Sequence, residues 1–410
     1  MAVLYGIAAA TASFLLAALL AALLRRPALR LSLVDRRRQR PVPLVGGVAV
    51  ALVTGLVAWA GDRTGVVPLG TGVGRVLVAG AAVGALGLAA DIWRLRRRWL
   101  VAGTAVAAAY VVPYDVTGPV VGVLAVGWIA LVAVAFRGLD HADGVAGTVG
   151  VVTAFGVGAC AAAELMDGLA VLLSALAASL AGFLLHNAHP ARIALGACGS
   201  LFAGFLLAAA AVFTRAGRDP GAGVGVLFAL TALAGVDAVL VLLSRRLAGR
   251  PLLRGGPDHL AHRLRRLGLT PQGAVLVLGV ASFFGVLVGV LVHTGWAERA
   301  ALLWVAGGAV VVVAGLLRVR VYEPRRRRRA GMRTRARIGG PRVEPLPGRT
   351  GSHGMPGAPG WPGRPGQSGV PGRSGEASGV ATGVPRAPAR ASFRATVFPA
   401  RQAGSEDKTQ

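Results

Sequence analysis

The sequence predicts an all-α polytopic membrane protein of about eleven transmembrane helices. Three observations carry that prediction. Apolar runs of bilayer-spanning length recur from residue 3 to about residue 317, separated by polar loops. Only 15% of the 410 residues are charged, against roughly 25% in a soluble domain, and mean hydropathy is +0.64. The arginines gather in every second loop.

Taken in order, the expected spans are 3–24, 44–60, 74–90, 99–112, 118–136, 145–163, 169–186, 193–213, 223–243, 273–293 and 300–317. The first run has no charged segment before it and is followed by Arg25 and Arg26, so it reads as a span rather than a cleavable signal peptide. The fourth is short. The apolar residues are mainly Ala, Val, Leu and Gly. Small residues let helices pack closely in lipid, and Gly is tolerated there because backbone hydrogen bonds have no competitor.

The loops 25–43, 91–98, 137–144, 187–192 and 244–272 hold 20 arginines, whereas 61–75, 113–117, 164–168, 214–222 and 294–299 hold 5. Positive charge stays inside, so the first set is expected in the cytoplasm, with the N-terminus outside and the C-terminus inside. The chain then divides into a membrane domain, 1–320, and a basic cytoplasmic tail, 321–410. The tail is rich in Pro, Gly, Ser and Arg, and it cannot bury enough apolar surface to fold alone. Gly recurs at every third residue from Gly348 to Gly375, a short collagen-like pattern within a disordered linker. The run Arg325 to Arg329 suits an anionic inner leaflet.

The formal net charge of +27 raises nucleic acid as a partner. The arginines sit at helix ends and in the tail, so the membrane is the expected partner and nucleic acid is not. Cys160 and Cys198 form no CxxC pair, which gives neither a disulfide framework nor a zinc-finger spacing.

Unusual polar residues concentrate in the five loops assigned to the cytoplasm. The first, DRRRQRPVPLVGG, sets Asp35 and Arg38 beside a Pro-x-Pro turn and a Gly pair. It reads equally as a phosphate grip or as a positive-inside anchor. In the second, Asp91 lies at the mouth of the third span, where a carboxylate reaches a metal or simply ends a helix. The third, FRGLDHADG, carries Asp140, His141 and Asp143. Its two carboxylates suit Mg²⁺ on one face of a turn, or they cap helices. The fourth holds Asn187 and the Gly196–Ser200 turn. In the fifth, Arg245, Arg246, His259 and His262, with Asp258, suit pyrophosphate recognition. His-x-x-His by itself lacks the remaining ligands of a zinc site.

In this order, the five segments resemble the bacterial polyprenyl-phosphate N-acetylhexosamine-1-phosphate transferases of the MraY/WecA type, glycosyltransferase family 4. The resemblance covers roughly residues 1 to 320. It implies ten or eleven helices, a cytoplasmic active site and a plasma-membrane location. It also implies transfer of a phospho-N-acetylhexosamine from a UDP-sugar to polyprenyl phosphate with Mg²⁺, releasing UMP; a homodimer is compatible with it. Asp35 and PVPLVGG are similar to the family's first loop, and Asp91 to the second Asp of its Asp-Asp pair. Asp140 and Asp143 match its Asp-Gly-x-Asp-Gly segment. Asn187, Pro190 and Ala191 match Asn-x-x-Pro-Ala, and Asp237, Arg245 and Arg246 match its ninth-helix pattern. His259 and His262 match the outer histidines of His-x-His-His. The resemblance thus implies Asp91, Asp140 and Asp143 as catalytic and metal-holding residues. It implies Asp35, Arg38, Asn187, Arg245, Arg246, His259 and His262 as substrate-phosphate contacts.

The chain departs from the pattern at five positions. Ala90 stands for the first Asp of the pair, Val134 and Arg137 for two asparagines, Ala197 for the Asp of Gly-Asp-x-Gly-Ser, and Ala261 for the middle histidine. In the family the Asp replaced by Ala197 is a metal ligand. Two functions are therefore expected to compete: a divergent transferase, or a catalytically inactive paralogue that binds or regulates in cell-envelope assembly. A small-molecule transporter fits less well, because no halves with matching interrupted helices are visible.

Overall fold

The structure is a computed structural model, and it describes residues 2–35, 41–93, 95–251, 256, 258–319 and 321–322. Those residues form twelve helices and one short antiparallel hairpin. The helices are α1 (Ala2–Arg30), α2 (Gly46–Arg63), α3 (Gly70–Trp93), α4 (Arg97–Val111), α5 (Tyr114–Leu139) and α6 (Val145–Ala163). They continue with α7 (Asp167–Asn187), α8 (Gly196–Phe213), α9 (Pro220–Leu247), α10 (Leu260–Arg266), α11 (Pro271–His293) and α12 (Ala301–Leu317). The hairpin pairs β1 (Val34–Asp35) with β2 (Val42–Pro43).

Each of the eleven expected spans falls on a helix, and the seven-residue α10 is additional. By length and composition, eight of the described helices can cross a membrane: α1, α3, α5, α6, α7, α8, α9 and α11. The shorter α12 is apolar throughout. At 1.5 Å per residue, the 15-residue α4 is shorter than the roughly 30 Å hydrocarbon layer. The chain is a multi-pass membrane protein.

Local chemistry sets the helix starts. Pro220 and Pro271 open α9 and α11 at positions where a missing N–H costs nothing. Asp219 and Thr270 cap the same two helices, accepting from the Gly221 and Gly273 amides. At Gly118 (φ 73°), just before Pro119, the backbone of α5 leaves helical geometry.

Helix α8 is the axis of the bundle. Its sequence, GACGSLFAGFLLAAAAVF, is apolar all round, and every residue from Gly196 to Val212 is buried. Glycines admit its neighbours. A Cβ on Gly87 of α3 would lie 2.4 Å from the Ala197 carbonyl, and one on Gly204 would lie 3.0 Å from Ala133 Cα of α5. The segment Val45–Gly47 is stitched to the α8 entry by Gly46 N–H to Ala194 O and Gly47 N–H to Leu195 O, at 3.0 and 2.9 Å.

The loops segregate into two groups at opposite ends of the helices. At one end, the first hairpin, the α3 terminus, the α5–α6 turn, the α7–α8 segment and α10 meet one another. At the other, a Cβ on Gly168 would lie 2.9 Å from Pro68 O, and Glu164 pairs with Arg218 and His293. These are the two groups into which the arginine count divides the loops.

Candidate active site

The α5–α6 turn is the organising element. Within four residues it sends Asp140, His141 and Asp143 into three adjacent networks. Gly144 (φ 79°) adopts the left-handed backbone that starts α6.

The first network sits at the N-terminus of α8, whose leading amides have no intrahelical acceptor. Asp140 Oδ2 accepts from Gly196 N–H at 2.8 Å. Asp91 Oδ2 accepts from Ala197 N–H at 2.7 Å and from Cys198 N–H at 3.3 Å. Two carboxylates from distant parts of the chain thus converge on consecutive amides, where the helix dipole favours negative charge. Gly196 (φ 71°) makes the convergence feasible: a Cβ there would lie 2.8 Å from Asp91 Oδ2 and 2.7 Å from Leu44 O. Arg137 and Asp35 stand close enough for their opposite charges to bear on Asp91. The Nε of Arg137 is out of solvent and has no hydrogen-bond partner among the described residues. The Ala197 methyl is buried.

The second network holds the turn in place. Asp143 Oδ2 contacts His189 Nδ1 at 2.9 Å and accepts from Ala191 N–H at 3.1 Å. Asn187, fully buried, accepts from Gly144 N–H at 2.9 Å and donates to Ile193 O at 2.8 Å. Asp140 and Asp143 therefore face different partners, and the amide of Asn187 is engaged at both its oxygen and its nitrogen.

In the third network, Asp237 on α9 contacts His259 Nδ1 at 2.7 Å and accepts from Leu260 N–H at 2.8 Å. His259 stacks on His141, with ring centroids 4.2 Å apart, and His262 lies 4.9 Å from His141. Burial, then the adjacent His259, push the His141 imidazole down to about 3. The same two causes lower His262.

A fourth network closes the base of the site. Buried Arg245 grips Asp258 through Nε and Nη2, and Tyr322 donates to Asp258 at 2.7 Å. Burial opposes ionisation of Asp258, but the bonds from Arg245 and Tyr322 outweigh it and hold the carboxyl below its ordinary range. Arg263, also fully buried, donates to Ser244 Oγ and to the carbonyls of Asp258, Leu316 and Val319.

The structure therefore gathers Asp35, Asp91, Asp140, Asp143, Asn187, Arg245, His259 and His262 at one end of the bundle. Arg246 lies in the last turn of α9 and is exposed. Arg38 and the run Arg325 to Arg329 lie outside the described residues. Sequence reasoning missed Arg263 and Tyr322. Arg263 sits among helix-end arginines that look alike, and Tyr322 falls in the segment assigned to the tail. The arginine at the fifth position of HLAHR, one turn beyond the first histidine, was the available signal.

Comparison with known proteins places this geometry. The family model described as glycosyl transferase family 4 matches residues 73–215, the stretch that supplies Asp91, Asp140, Asp143, Asn187 and the α8 entry. A protein of Streptomyces coelicolor, whose name assigns it to the glycosyltransferases, is 67% identical over 100% of this chain and 98% of its own length. The decaprenyl-phosphate N-acetylglucosaminephosphotransferase of Mycobacterium tuberculosis is 31% identical over 63% of this chain and 76% of its own. A phospho-N-acetylmuramoyl-pentapeptide-transferase of Desulforamulus reducens is 34% identical over 37% of this chain and 44% of its own. On the matched segment and on relatives aligned along most of their length, the chain belongs to glycosyl transferase family 4.

Proposed function

We propose that this protein is a membrane transferase of cell-envelope glycan synthesis that moves phospho-N-acetylhexosamine from a UDP-sugar to polyprenyl phosphate. The observation that carries the reading is the convergence of Asp91 and Asp140 on the α8 N-terminus, within a family whose named relatives act on polyprenyl phosphates. The site end of the bundle would face the cytoplasm at the plasma membrane, where nucleotide sugars are available. The 20-to-5 arginine distribution supports that orientation.

Mg²⁺ is the cofactor this reading calls for, and the donor set agrees in kind. Asp91 and Asp140 are hard oxygen donors brought to neighbouring amides, and Mg²⁺ takes one or two protein carboxylates with waters and substrate phosphates. When bound, it would neutralise charge on the transferring phosphoryl group. The chain's own residues bind and orient. Asp143 and Asn187 hold the α5–α6 turn against the α7–α8 segment, which fixes where Asp140 points. The Arg245–Asp258 pair holds the entry to α10 and thereby His259 and His262. This reading assigns Asp35, Arg38, Arg246, His259 and His262 to the region that meets substrate phosphates, the basic groups through charge-assisted bonds.

A second reading, a catalytically inactive paralogue that binds or regulates, is favoured by a specific observation. A methyl group, Ala197, occupies the α8 entry where the family pattern has a carboxylate, and the Arg137 cation lies near Asp91. An arginine there supplies positive charge without a metal.

One assay separates the readings. The purified protein is incubated with labelled UDP-sugars, polyprenyl phosphate and Mg²⁺, and UMP release is scored. Mg²⁺-dependent release establishes the transferase. Retained UDP-sugar binding without release, and without Mg²⁺ dependence, establishes the second reading. In that case Ala197→Asp combined with Ala90→Asp and Arg137→Asn is expected to introduce Mg²⁺-dependent binding before turnover.

A further inference from the structure

We infer that His141, His259 and His262 form an imidazole site for a borderline transition-metal dication of the Zn²⁺ class, oriented by Asp237. The argument starts from tautomers. His141 Nδ1 lies 2.7 Å from the carbonyl oxygen of Gly138. A carbonyl only accepts, so Nδ1 carries the proton, and the neutral ring is left with a bare lone pair on Nε2. That Nε2 is out of solvent and has no hydrogen-bond partner among the described residues. A buried polar atom without a partner is uncommon and costly, and it calls for a reason.

The same logic fixes His259. Its Nδ1 faces Asp237 Oδ2 at 2.7 Å and donates to the carboxylate, so Nε2 is the nitrogen that can ligate when the ring is neutral. Asp237 is itself held by the Leu260 amide. A carboxylate that orients a histidine through one nitrogen while the other is presented is the supporting arrangement of metal-bound imidazoles. One donor atom from each of His141, Asp237 and His259 lies within 4.8 Å of the others. His259 is the N-cap of α10 and His262 lies in its first turn, with its ring 4.9 Å from that of His141. Three imidazoles with a fourth position open make an ordinary tetrahedral centre.

Donor type separates this site from the carboxylates at the α8 entry. Imidazole nitrogen suits Zn²⁺, Co²⁺, Ni²⁺ and Cu²⁺, whereas Mg²⁺ takes oxygen. A metal needs the unprotonated ring nitrogen, which the Gly138 carbonyl leaves at His141 Nε2. Ring lone pairs lie in the ring planes, so ligation opens the His141–His259 stack from its interplanar angle of 19°.

The test uses the full chain, purified in detergent without a polyhistidine tag and stripped with chelator. Co²⁺ is titrated in, and the visible absorption of a tetrahedral cobalt centre is read. We expect about one Co²⁺ per chain, displaced by Zn²⁺ and not by excess Mg²⁺. His141→Gln and His262→Gln should each weaken Co²⁺ binding at least ~10-fold. Asp237→Asn should weaken it about 10–100-fold. His293→Gln, a histidine paired with Glu164 at the opposite end of the bundle, should leave it unchanged. Should one variant not fold, the Zn²⁺-induced rise in Tm of the wild type, lost in the other variant, decides. Absence of the cobalt spectrum in folded wild-type protein, or undiminished binding in His141→Gln or His262→Gln, overturns the inference. UMP release is not read, so the transferase reading stands or falls separately.

Discussion

Arg245, Asp258 and Tyr322 show how this protein keeps charge in a nearly dry place. The Arg245 side chain is 4% exposed and that of Asp258 is fully buried. A buried charge whose partner is removed carries its desolvation cost alone. Arg245→Ala is therefore expected to lower stability by about 3–5 kcal/mol, measured by unfolding in detergent. Tyr322→Phe removes one bond from an oxygen that keeps its arginine, and it should cost only about 1–3 kcal/mol. Equal losses in the two variants would show that the guanidinium is not the principal partner. At this scale the sequence was partly legible. His-Leu-Ala-His and the paired arginines marked the segment as a site. Their partners were not legible, because Asp237 and His259 are 22 residues apart in sequence and meet only through the return of α10.

At the scale of elements, the glycine pairs of PVPLVGG and LGACGS have a steric reading. They are where α2 and α8 touch backbone to backbone. A Cβ on Gly47 would lie 2.0 Å from the Gly199 nitrogen, and no flexible side chain can yield there. Gly55, two turns along the same helix, has nothing within 4 Å. Gly47→Ala should thus separate the two helix entries and lower folded yield and Tm sharply. Gly55→Ala should be neutral or stabilising by up to about 1 kcal/mol through helix propensity. If the two variants melt alike, the close approach is not a structural requirement. Element positions were legible, since eleven hydrophobic runs fall on eleven helices, and α6 occupies the expected residues 145–163. The short α10 was not, because seven residues of mixed Arg, His and Leu show no spanning run and no sustained period.

For the whole molecule, the arginine count makes a claim about sides that labelling can check. Cys160 and Cys198 are both buried, so the native thiols give little background. A cysteine introduced at the exposed Arg98 should react with a membrane-impermeant reagent only after the cells are opened. One at Trp296, which is 85% exposed at the other end, should react in intact cells. The reverse pattern would invert the topology and place the α8 entry outside, away from nucleotide sugars.

The division between sequence and tertiary structure follows from the range of the forces involved. Hydrophobic length, Pro and Asp or Thr at helix starts, and the bias of arginine between loops act along the chain or across one membrane. The sequence by itself therefore determined the fold class, the helix order and the grouping of loops into two ends. Convergence is decided by packing. Asp140 and Asp143 are three residues apart, yet one turns to Gly196 and the other to Ala191, because the chain leaves α5 at Asp140 and turns before it reaches Asp143. Asp91 reaches the same helix terminus from 106 residues away because Gly87 lets α3 lie against α8. Which carboxylate meets an amide, which histidine is left with a bare nitrogen and which arginine is buried depend on contacts between helices far apart in sequence. Only the tertiary structure decides them.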